Sequence, residues 1–180
     1  MSFKKRKLLL TGLHPGCLEL RRSKRGVGEF DGQSQLVFFA DKWLLYSQAN
    51  CAEKGHRQVQ VSMGSSLDSL GDFEWVSFAG VPLNADIYLA HIYRTKRNTL
   101  LAVLPIAQPP GQGTAVEGGV YLAESASGLD FGPPVLLKES PVFARRTADM
   151  PVLYEDAFGE ELITLPLHMD VASRMPAHLP

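Results

Sequence analysis

The chain has 180 residues, 45% of them hydrophobic and 21% charged, with a formal net charge of −1 and a pI near 6.5. That length is about one domain, able to bury roughly 70% of the surface its unfolded form exposes, and the ordinary apolar and charged fractions exclude wholesale disorder and fibrous sequence. Near-neutral charge excludes a general attraction to polyanions, so neither a nucleic acid nor a membrane is expected as partner.

In chain order, the N-terminus carries two basic runs, Lys4-Lys5-Arg6-Lys7 and Arg21-Arg22-Ser23-Lys24-Arg25. Residues 1–27 read as a basic segment with one or two short strands, its charges solvated rather than forming a localisation or nucleic-acid signal. Leu8-Leu9-Leu10 is interrupted at Thr11-Gly12, short of the about 7 to 15 apolar residues of a secretory signal, and no window approaches about 18 uninterrupted apolar residues. The expectation is no signal peptide, no transmembrane segment and, by default, a cytoplasmic protein. Cys17 and Cys51 define no disulfide framework and read as free thiols.

From Gln35 onward the signals are those of strands. Gln35–Ala40 and Trp43–Gln48 are short runs rich in aromatic and branched residues at hairpin spacing, with the turn at Asp41-Lys42. Gln58-Val59-Gln60-Val61-Ser62 alternates with period two, the pattern of a strand with one buried face, and Glu74–Phe78 supplies a fourth strand. The order then repeats: Ile87–Tyr93, a turn around Lys96-Arg97-Asn98, Leu100–Ile106, Val120–Ala123 and Val135–Leu137. Gln108-Pro109-Pro110-Gly111-Gln112-Gly113 is punctuation between strands. Val152–Tyr154 and Leu162–Leu167, around Gly159, resemble a third opening hairpin. Only Ser66–Phe73 suggests a short helix.

Each of these units is introduced by an acid. Phe30-Asp31-Gly32 precedes the first, Ala85-Asp86 the second and Ala148-Asp149 the third, with the acids 55 and 63 residues apart. Self-similarity at such a period points to radially arranged β units. The expected fold is all-β, a partial β-propeller of antiparallel four-stranded blades, about two complete and part of a third. It spans 28–171 and is followed by a tail at 172–180. An incomplete ring leaves a sheet edge open, through which the chain would self-associate.

Glu29-Phe30-Asp31-Gly32, the hairpin ending Leu44-Leu45-Tyr46, the strand Gly55–Ser62 and Asn84-Ala85-Asp86-Ile87-Tyr88 together resemble five-bladed β-propeller glycoside hydrolases of the arabinanase, β-xylosidase and invertase-like groups. The resemblance covers residues 28 to 168. It implies a carbohydrate ligand, no cofactor, and carboxylates carried by the innermost strands into a central funnel. Asp31 then resembles the first-blade base or nucleophile, Asp86 the second-blade acid that tunes or stabilises, and Asp149 stands at the start of a third blade. The general acid of such enzymes is usually a glutamate of a middle blade; no glutamate here has an equally clear context, so that role is unassigned.

The chemistry gives an independent reason to follow these acids. Glycosidic cleavage needs one protonated and one ionised carboxyl, about 5 to 9.5 Å apart. The competing interpretation is that Asp31 and Asp86 bond nearby backbone amides at strand starts. Arg57 and His91 are candidate donors to sugar hydroxyls, and Trp43, with Tyr46, Trp75 and Tyr88, a candidate stacking surface, against the alternatives of ion pairing and core packing. The five histidines do not cluster, so no metal is predicted. No Gly-x-Ser-x-Gly elbow or phosphate-binding glycine motif occurs, and a non-catalytic binding module is the alternative function.

Overall fold

The computed structural model describes residues 29–51, 56–82, 85–87, 90–107, 118–139, 152–155 and 159–164, with side chains over 34–49, 57–82, 85–87, 90–106, 118–137 and 159–164. Asp149, Tyr88, Cys17, the basic runs and the C-terminal tail lie outside the described residues, and Asp31 and Cys51 are described by backbone alone. Among the described residues the chain is all-β and holds no α-helix; the stretch at Ser66–Phe73 contains a single 3-10 turn, Leu67–Ser69.

The first sheet is a meander of β1 (Glu29–Phe39), β2 (Lys42–Cys51), β3 (His56–Gly64) and β4 (Phe73–Trp75), each antiparallel to the next. Phe39 pairs with Lys42, so the turn is Ala40-Asp41, one residue earlier than the sequence suggests. Both have positive φ, +47° and +57°, the condition for a two-residue turn whose twist matches the strands it joins. Alternate residues Val37, Leu44, Tyr46, Val59 and Val61 turn toward the second sheet and enter the main core. Their opposite neighbours are not all solvated: Gln58 and Gln60 are only 1% and 0% exposed. The period-two stretch is therefore a strand buried on both faces, with amides on one of them.

The second sheet runs β11 (Val135–Glu139), β9 (Gly119–Ser125), β8 (Leu100–Ala107), and along the other side of β8 both β6 (Asp86–Ile87) and β7 (His91–Arg94). The single inner strand expected at Ile87–Tyr93 is thus divided into two short pieces, each paired to β8. Its inward residues Ile87, Ile92, Leu100, Ala102, Leu104, Ile106, Tyr121 and Ala123 meet the first sheet's apolar face. Fully burying a side chain of this size contributes about 1.5–3 kcal/mol, so this layer dominates the stability of the pair.

The expected fourth strand of the first unit is also divided. Val76 N donates to Val59 O, and beyond it β5 (Ser77–Phe78) leaves the first sheet to pair in parallel with β10 (Asp130–Phe131), the two forming a small sheet of their own. The Phe78 and Phe131 rings lie 5.1 Å apart and Ser77 Oγ donates to Asp130 Oδ1 at 2.6 Å, which knits the outer parts of the two sheets together. A further two-stranded sheet, β12 (Val152–Glu155) with β13 (Glu161–Thr164), opens the third unit and is called the third sheet below. Ile163 packs, as Tyr93 and Leu122 do, against the buried pair Val103 and Val120 on the far face of the second sheet, and Lys96 N and Nζ donate to Glu161 Oε1 and Gly159 O. Sheet two covers sheet one and sheet three covers sheet two: the same stacking step, taken twice, is the partial propeller-like arrangement.

Candidate functional site

The inner strands of the first two sheets are fastened by side chains rather than by a ladder. Gln35, on β1, holds the Ile92 peptide of β7 at both ends: Nε2 donates to Ile92 O at 2.6 Å and Ile92 N donates to Oε1 at 2.8 Å. On β3, Gln58 Nε2 donates to Ala85 O at 2.5 Å, and Arg57 binds Asp86. These bonds fix the start of the second sheet's inner strand against β3.

Asp86 is 7% exposed and accepts twice from one residue: Arg57 N donates to Oδ1 at 2.5 Å and Arg57 Nη1 to Oδ2 at 3.1 Å. A carboxylate shielded from water is stabilised in its charged form when amide and guanidinium donors replace the lost solvent. The Arg57 side chain keeps 28% of its surface, so the pair faces solvent on the arginine's side. Donors of this kind favour the ionised form of the carboxyl they bind.

Of the residues singled out in the sequence, Arg57 and Asp86 are brought together. Asp31 lies in β1 between Phe30, which pairs with Ala49, and Ser34, which pairs with Ser47, where the ladder shifts register opposite Gln48. Asp149 lies outside the described residues. His91 is 5% exposed on β7, in register with Val103, and so on the face of the second sheet turned away from the first. Trp43 is half-buried beside the tight turn, its ring 5.1 Å from Phe38 on the first sheet's outer face. Trp43 is seven residue steps along β2 from the Asn50–Arg57 pair, about 23 Å at the usual rise. Arg57 and Trp43 thus occupy opposite ends and opposite faces of one sheet.

Sequence inspection missed the glutamines. Gln48 is 5% exposed, pairs with Val59, and shares with Arg57 the face turned to the second sheet. A hollow of about 720 Å³ lined by Thr99, Leu101, Leu122, Glu124, Pro133 and Val135 contains none of the candidate residues and is largely apolar. Among the described residues no three His, Cys, Asp or Glu side chains form a group fit for a metal ion, and no helix is long and apolar enough to cross a membrane.

No family model and no curated protein matches the chain. Among solved structures it is similar to the GH93 α-L-arabinofuranosidase of Fusarium graminearum, determined in complex with arabinobiose, at 14% identity and a TM-score of 0.43. That similarity covers 57% of this chain and spans only 29% of the arabinofuranosidase chain.

Proposed function

We propose that this chain is a glycoside hydrolase-like propeller unit that binds carbohydrate at the junction of its first two inner strands, with Asp31, Asp86 and Asp149 as its carboxylates. The observation that carries the proposal is the Arg57–Asp86 pair: a buried carboxylate, at the head of an inner strand, bound by the main chain and the guanidinium of a residue of the preceding sheet. Arg57 belongs to β3 and Asp31 to β1, two ladder steps apart in one sheet, or about 10 Å across. In this proposal Asp86 stabilises the positive charge that develops on the sugar ring, Asp31 attacks or activates water, Arg57 holds Asp86 and donates to sugar hydroxyls, and Asp149 is the third acid of the set. His91 and Trp43 enter only through parts of the ligand that extend away from this junction.

The test is a screen of aryl glycosides and arabino- and xylo-oligosaccharides with wild type beside Asp31→Asn and Asp86→Asn. Turnover lost in both variants with binding retained supports the acid roles; absence of binding and of turnover in wild type removes the proposal.

A second function is favoured by a different observation. Leu36 and Phe38 are 41% and 42% exposed, and Phe38 packs on Trp43. A non-catalytic module would use this apolar, aromatic surface to bind a partner, with Asp86 serving only to hold the sheets.

A further inference from the structure

We infer that Gln48 is a ligand-binding residue of this site, its side-chain amide donating a hydrogen bond to a sugar hydroxyl; this rests on the carbohydrate proposal above. Gln48 is 5% exposed, and its Nε2 has no acceptor within hydrogen-bonding distance. A buried amide without its partner is destabilising, and such groups persist where they serve something other than stability. The location says what. Gln48 opposes Val59 on β3, and Arg57, two residues before Val59, is its diagonal neighbour on the same face, roughly 7–8 Å away between backbones. On its other side it faces the stretch of β1 containing Asp31, where the ladder is irregular. The donor therefore lies between the strand positions of the two leading acids, beside a guanidinium already engaged with Asp86.

The ligand chemistry follows from the atoms. A neutral donor accompanied by an ionised carboxylate and a guanidinium presents both hydrogen-bond signs within one small region, which is the requirement of a vicinal diol: one hydroxyl donates to carboxylate oxygen while its neighbour accepts from amide or guanidinium. Trp75 Nε1 is also buried without an acceptor, but it lies beside Ala49, on the face turned from the second sheet, and forms no part of this cluster.

The test is Gln48→Met, close in volume and without the donor, measured by thermal unfolding with and without millimolar arabinobiose or xylobiose. Without sugar the variant is expected to unfold at the same temperature as wild type or a few degrees higher, because an uncompensated polar group has been removed. With sugar its apparent affinity falls about 3- to 10-fold, the worth of one neutral hydrogen bond. A variant several degrees less stable than wild type without sugar shows that the amide serves the fold and overturns the inference. Equal sugar binding by both proteins overturns it too while leaving the carbohydrate proposal standing. If neither sugar binds wild type, that proposal fails and the inference falls with it.

Discussion

Arg57 reaches Asp86 through both its main chain and its side chain, and so joins the third strand of the first sheet to the opening strand of the second. Removing the carboxylate deletes the acceptor of the part-buried Arg57 N–H and of its Nη1. Asp86→Ala is expected to lower stability by about 2–4 kcal/mol, and Asp86→Asn, which keeps an acceptor for the amide, by less than half of that. Arg57→Ala costs about 1–2 kcal/mol, because the arginine is partly solvated and the main-chain bond survives. Chemical denaturation of the three variants checks the order; equal losses in all three contradict it.

Tyr46 and Gly128 form a second lock between the sheets. Tyr46 Oη donates to Gly128 O at 2.7 Å in the core, and Gly128 has a φ of +81°. A Cβ there would come within 2.5 Å of Leu44 Cδ2 and 2.9 Å of Tyr46 Oη. Gly128→Ala combines a disfavoured backbone with overpacking and is expected to cost at least about 2 kcal/mol. Tyr46→Phe costs about 1–3 kcal/mol through the orphaned carbonyl. Melting temperatures decide both: at this chain length 1 kcal/mol is roughly 2–4 °C.

The same tyrosine makes stability depend on pH at the alkaline end. Burial pushes the Tyr46 phenol well above its ordinary pKa of 10, and pushes the Tyr93 phenol up as well. Folding then favours the neutral phenol, so the contribution is fully present below the unfolded value near 10 and is lost as pH rises through that value toward the folded one. Denaturation curves between pH 8 and 11 are expected to fall more steeply for wild type than for Tyr46→Phe. Parallel curves contradict the assignment.

The turn between β1 and β2 is the clearest place for improvement. Ala40 and Asp41 both sit at positive φ, where neither is at its best. Replacing them with Asn-Gly is expected to raise stability by about 0.5–1 kcal/mol, with the hairpin register unchanged. A lower melting temperature for the double variant would mean that these side chains hold contacts outside the turn.

Most strands were legible because each carries a local signature, branched and aromatic residues between breaks at hairpin spacing. What escaped was decided by distant pairing. Val76 still donates to Val59 of β3, but Ser77 and Phe78 then leave that ladder to pair with Asp130 and Phe131, 53 residues away; no local pattern encodes that. The acid at position 86 was legible as the head of a repeated unit, and Arg57 as a neighbouring donor, although their bond could not be read. Gln35 and Gln58 were passed over for a physical reason: a polar residue among apolar ones looks solvated, and only tertiary contact with Ile92 and Ala85 makes each amide a connector between sheets.

The central claim is that carbohydrate binds where the first two inner strands meet. Titrating isotopically labelled protein with arabinobiose and xylobiose, and following backbone amide resonances, tests it most directly. The account predicts saturable shifts at Gln48, Arg57 and Asp86, abolished in Asp86→Ala, with Phe38 and Trp43 unmoved. Shifts confined to Phe38, Trp43 and Leu36, or no shifts with either sugar, would contradict it.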